Sequence, residues 1–261
     1  MGLDIYAGTL TRYYSRNWKN KVQQIAEANG QKCEMTDGLG NKIKPVEEAA
    51  EIMEIRDIVC QWSEELAANI ERFNPPMPHK LWDENNESEY YTDKPDWEAY
   101  GALVMLMACH LHNYPLPEYV ENGWNAFDNP VVKKCISQKI NISLLSNVVI
   151  WLPIEKESIY TTVLPNGEEA NVSTLQLLKQ ELEELNRQIW KADEPTIMSW
   201  RDDKYYIPTK QNKSKPLFGL IITKGKKEKY RTEDLAQCAY SILYQAVNFA
   251  MEHKVPLLLD Y

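Results

Sequence analysis

The chain has 261 residues, 44% hydrophobic and 26% charged, with 10 glycines, 14 prolines and 5 cysteines, which excludes collagenous, disordered and disulfide-scaffolded classes. That length fits one large domain or two small ones, either able to bury a core. The formal net charge of −9 is concentrated in residues 45–125, which hold 17 acidic and four basic side chains; a field of one sign repels phosphate backbones and steers a basic partner, so the expectation is a basic protein partner and no nucleic acid.

Alternation from Leu3 through Asp4, Ile5, Tyr6 and onward to Tyr13 predicts an opening strand. Ser15 then caps a short helix whose apolar stripe is Trp18, Val22, Ile25 and Ala26, closed by Gly30. Residues 36–44 read as a loop. Pro45 opens the strongest periodic signal of the chain, Ile52, Ile55, Val59, Trp62, Leu66, Ile70 and Phe73, a helix of about seven turns stopped by Pro75 and Pro76. Barely three heptads favour packing within the domain, with self-association through this seam as an alternative; the oligomeric state stays open.

Residues 96–112 are apolar nearly all round, the pattern of a central buried helix. Beyond Pro115 the chain breaks into short pieces. A buried-type strand is predicted at 148–152, and 158–164 pairs with 169–172 across Pro165-Asn166-Gly167. Ser173 and Gln176 form a capping-box pattern ahead of an amphipathic helix with Leu175, Leu178, Leu182, Leu185 and Ile189. Further strands are predicted at 196–200, 205–208 and 217–223, then a helix over 232–253 with Glu233 and Asp234 at its positive end, then a terminal strand over 255–261. The fold class is α+β: a mainly helical half, 1–140, then a half with a mixed sheet and two amphipathic helices, 141–261, with one interleaved domain as the alternative.

Asp4 stands where a secretory signal carries positive charge, the apolar stretch 101–109 is far short of the roughly 20 residues that span a bilayer, and Tyr6 occupies the position where myristoylation needs Ser or Thr. The expectation is a cytoplasmic protein with no membrane attachment. The five cysteines are scattered and never in a Cys-x-x-Cys pair, which favours reduced thiols and no zinc ribbon. Gly38-Leu39-Gly40 lacks the rest of a dinucleotide fingerprint, and no P-loop, nucleophile elbow or His-Glu-x-x-His is present, so no cofactor or metal is expected. Of Cys109, His110 and His112, the two histidines are two apart on a helix and do not share a face, so the cluster reads as a core cysteine with histidines near a helix C-terminus. His79 and His253 read as a connection residue and a last-turn residue.

Two segments stand out for chemistry. Asp4, Tyr6 and Arg12 fall on one face of the opening strand by period two, a charged pair with a phenol that suits a small phosphorylated or nucleotide substrate and forms the enzymatic alternative. The basic run 224–231 reads as a solvated connection that suits phosphate less well. The leading candidate is 79–98, with seven acidic residues against two lysines between two helices; Trp82, Asp83, Glu84, Glu87, Glu89, Tyr90, Tyr91 and Trp97 combine interface anchors with carboxylates. Eight tryptophans and 15 tyrosines against four phenylalanines give most aromatics a polar handle, as at interfaces. In character, though in no aligned motif, such a chain resembles bacterial toxin-immunity proteins. That resemblance implies a non-enzymatic inhibitor occluding a basic partner.

Overall fold

The computed structural model describes residues 2–31, 33, 42–71, 81–138, 140–201 and 229–261. In chain order these form β1 (Asp4–Ala7), α1 (Leu10–Tyr14), α2 (Lys21–Ala28), α3 (Ala49–Glu71), β2 (Tyr91–Asp93), α4 (Asp96–Leu111), β3 (Tyr119–Glu121), α5 (Pro130–Ser137) and β4 (Val148–Leu152). They continue with β5 (Tyr160–Val163), β6 (Glu169–Thr174), α6 (Leu175–Gln188), α7 (Glu194–Ser199), β7 (Lys229–Arg231), α8 (Thr232–His253) and β8 (Leu257–Asp260). Among the described residues, helix makes up 50% and strand 15%, with helices against a mixed sheet, so the class is α+β.

Six strands run in the order β2-β1-β8-β4-β6-β5, and β3 pairs with β7 in a separate ribbon. Only β4 and β6 are parallel neighbours among these. Strands from both sides of residue 140 therefore share one sheet. Alternation divides their side chains between two layers. Ile5, Ala7, Trp151, Leu257 and Leu259 pack with buried residues of α4, α6 and α8. Tyr6, Ile150, Leu152, Val172 and Leu258 pack with Leu10 of α1 and Val59, Trp62, Leu66 and Ile70 of α3. Every residue of α4 from Ala99 to Cys109 is buried, as its all-round apolarity requires.

The long helix keeps the expected seam, but the seam is used unequally. Val59, Trp62, Leu66 and Ile70 are buried, and the Trp62 indole donates to the Val163 carbonyl at 2.7 Å. Towards the N-terminus Ile52 and Ile55 are only half-buried, and Met53 and Ile58 are exposed. Phe73 and His79 lie outside the described residues.

Several local expectations change. The opening strand stops at Ala7, and the chain turns at Gly8 into α1, so Arg12 is helical and not on the strand face. Ser15 ends α1; the cap of α2 is Asn20, in a reciprocal capping box with Gln23. Gly30 follows α2 with φ +70, the left-handed closure expected of it. Residues 196–200 belong to α7 and a following turn, because Asp193 caps Thr196 N and Pro195 occupies the first helical turn, where proline's fixed φ suits a helix. The cap of α6 is Thr174 in place of Ser173. The strands expected at 205–208 and 217–223, and the glycines 38 and 40, lie outside the described residues. Among the described residues, no helix is long and apolar enough to cross a membrane.

Candidate functional site

The acidic segment is a strap over α1. Thr9, at the start of that helix, makes no side-chain cap, and Glu84 supplies the missing acceptor. Its carboxylate accepts from Leu10 N at 3.0 Å, from Thr11 N at 2.7 Å and from Thr11 Oγ1 at 2.7 Å, while the Trp82 indole donates to it at 2.5 Å. Burial pushes the carboxyl above its ordinary range, and these hydrogen bonds hold it down in part. Thr9 Oγ1 donates to the Asn85 carbonyl at 2.6 Å, and Arg12 donates to the carbonyls of Ser88 and Asn17. Trp82 and Glu84, expected at an exposed partner surface, are instead buried in the strap.

The other residues of the segment divide in the same way. Tyr90 stacks on Tyr6, lies under the Arg12 guanidinium at 4.6 Å and accepts from Lys19 N. Tyr91 donates to Asp93 at 3.0 Å, and Trp97 packs on Tyr100, Phe127 and Tyr261; all three aromatics are half-buried. Asp83, Glu87 and Glu89 are exposed.

Asp4, Tyr6 and Arg12 do not form an open substrate face. Tyr6 is fully buried, donates to the Thr9 carbonyl at 3.0 Å and has its phenol pushed up by burial. Arg12 is spent on the strap. Asp4 is buried beside Lys94, 3.7 Å away, and Asn20; burial raises its carboxyl, Lys94 opposes this, and Asp260 and Asp96 add to it. All three brace the junction of β1, α1 and the strap.

Exposed carboxylates also stand on α3, a second set that the sequence reading did not single out. Glu47, Glu48, Glu51, Glu54, Asp57, Glu64 and Glu65 are exposed on and just before α3. Arg56 Nε donates to the Glu84 carbonyl at 2.9 Å, which fixes this helix against the strap. The Cys60 thiol on α3 is raised by burial, lowered by Arg56 and raised further by Glu84, Asp57 and Glu64. The charge excess of 45–125 was visible in the sequence, but the contact that joins α3 to the strap was not.

A cleft opens elsewhere, at the splayed end of the sheet. β4 and β8 pair at Ile150–Leu258 and Trp151–Leu257 and at no further residue among those described. The β4–β6 register slips between Val148 and Ile150, a bulge beyond which Val148 still pairs with Asn171. The resulting cavity of about 1220 Å³ is lined by these strand ends and by Tyr13, Tyr14, Arg16, Trp97, Glu168 and Tyr261, among others. Tyr13 donates to Asp260 Oδ1 at 2.5 Å, and Arg16 lies 3.8 Å from the same oxygen. Arg16 has φ +58, the left-handed position after a helix that glycine usually takes.

The histidines act locally: His110 bonds the Gln188 side chain, and His112 caps α4. Of the basic run, residues 224–228 lie outside the described residues; Lys229 and Arg231 belong to β7, and Arg231 pairs with Glu233 and Asp234. Among the described residues, no three His, Cys, Asp or Glu side chains are grouped to hold a metal ion. In comparisons with known proteins, no family model, no curated protein and no solved structure matches the chain.

Proposed function

We propose that this chain is a non-enzymatic binding protein that occludes a basic protein partner, in the manner of an inhibitor or immunity protein. The observation that carries the reading is the set of exposed carboxylates on the first half of α3 and on the strap, two elements joined by the Arg56–Glu84 contact, with Met53 and Ile58 exposed on the same helix. Apolar contacts within a charged rim are the anatomy of a protein interface, and carboxylates in excess set the sign of the partner. Trp82 of the strap packs on Trp62 of α3 beneath these side chains.

Affinity capture with wild type and a variant carrying Glu51→Lys, Glu54→Lys, Asp57→Lys, Asp83→Lys, Glu87→Lys and Glu89→Lys tests the proposal. A basic protein retained by wild type and lost from the variant is the expected result. Equal retention by both removes the acidic surface from the account.

A further inference from the structure

We propose that the cleft between β4 and β8 is a second, separate binding site, which takes the C-terminal end of an extended peptide. Two strands that part within one sheet leave facing edges, and an added strand is the natural occupant of such edges. Here Val148 and Val149 on one wall and Leu259 and Asp260 on the other all line the cavity, past the last pair that joins their strands. The β4–β6 register shift falls at this same end of β4, between Val148 and Ile150.

The end of the peptide is fixed by Arg16. Among the described residues its guanidinium makes no hydrogen bond; it only approaches Asp260 at 3.8 Å and lies over the Tyr13 ring at 5.6 Å. Its donors match a carboxylate in planar, two-point geometry. An arginine held at positive φ is strained where glycine is not, so its side chain has a use that its backbone position does not explain. Glu168 and Tyr14 line the cleft as well, and the Tyr14 phenol feels both charges: burial and Glu168 raise it and Arg16 lowers it. A terminal carboxylate on Arg16 with a cationic side chain towards Glu168 satisfies both. The aromatic walls, Tyr14, Trp97 and Tyr261, take the apolar side chains.

The test presents the whole protein, immobilised, with a randomised tetrapeptide library in two forms, free carboxylate and C-terminal amide, and reads the retained peptides by mass spectrometry. Free-acid peptides enriched in a Lys or Arg upstream of the terminus are expected, with the amide forms bound at least tenfold more weakly. N-methylation of a central peptide bond in a retained sequence is expected to abolish binding, which a contact made by side chains alone would not require. Arg16→Gly relieves the backbone strain, so its melting temperature is expected to equal or exceed that of wild type while selection for the free carboxylate disappears. Retention of neither library, equal retention of both, or unchanged selectivity in folded Arg16→Gly overturns the proposal. Loss of the acidic surface of α3 leaves this binding unaltered, so the two sites fail separately.

Discussion

Two buried glutamates carry much of the local order. Glu84 caps α1, and Glu181 accepts from Ser143 N, Ser143 Oγ and Leu144 N at 2.5, 2.7 and 3.3 Å, while the Trp151 indole donates to the same Ser143 hydroxyl at 2.9 Å. Glu84→Ala leaves two amides and an indole without their acceptor, so a loss of about 2–4 kcal/mol is expected by urea denaturation, with Glu87→Ala within about 0.5 kcal/mol as a control. Burial raises the Glu181 carboxyl to about 7 against a model-compound value of 4.5. A folded state that holds its proton more tightly than the unfolded chain is favoured at low pH. The stabilisation is full below about 4.5 and is lost as pH rises through about 7, on the order of 2–4 kcal/mol in all. Wild type measured against Glu181→Gln is therefore expected to lose relative stability between pH 5 and pH 8; a flat difference contradicts this. Neither cap was legible in the sequence: Glu84 looks like any other acid of its segment, and the α1 amides it caps lie more than 70 residues away.

At the level of elements, the sequence was most readable where one period governs a long run. The limits of α4 and α8 and the turn at Asn166-Gly167 follow the expected pattern, and Gly167 has the positive φ the turn needs. Gly167→Ala is expected to lower stability by about 1 kcal/mol, read as a fall in melting temperature. Short elements were harder to read, because alternation over a few residues does not distinguish a strand from a strand followed by one helical turn. That ambiguity extended the opening strand through α1, and it turned α7 into a strand despite Pro195. Amphipathicity alone also does not tell a helix what it packs against. Leu66 is in the core, and Leu66→Ala is expected to cost about 2–5 kcal/mol. Val22 and Ile25 repeat the same pattern in α2 yet are 45% and 53% exposed, so Val22→Ser is expected to stay within about 0.5 kcal/mol.

At the scale of the molecule, the charge count marks residues 45–125 as acidic but does not say which of those acids face solvent. Trp82 and Glu84 face inward, and the exposed carboxylates of α3 extend the surface in their place. The difference is tertiary: which acids face solvent is decided by the Arg56 contact and the strap, neither of which has a sequence period. If the surface steers a basic partner, association slows steeply with added salt while dissociation changes little, and reversing Glu51, Glu54 and Asp57 lowers the rate at low ionic strength by tenfold or more. Stopped-flow mixing with the captured partner measures this. The cleft at the end of the sheet plays no part in that steering.

The most direct measurement is hydrogen–deuterium exchange of the protein alone and in complex with its captured basic partner. Protection is expected over residues 47–65 and 83–89, with the β4–β8 cleft unchanged. Protection confined to residues 147–150 and 166–171, with α3 exchanging as in the free protein, contradicts the account and transfers partner recognition to the cleft.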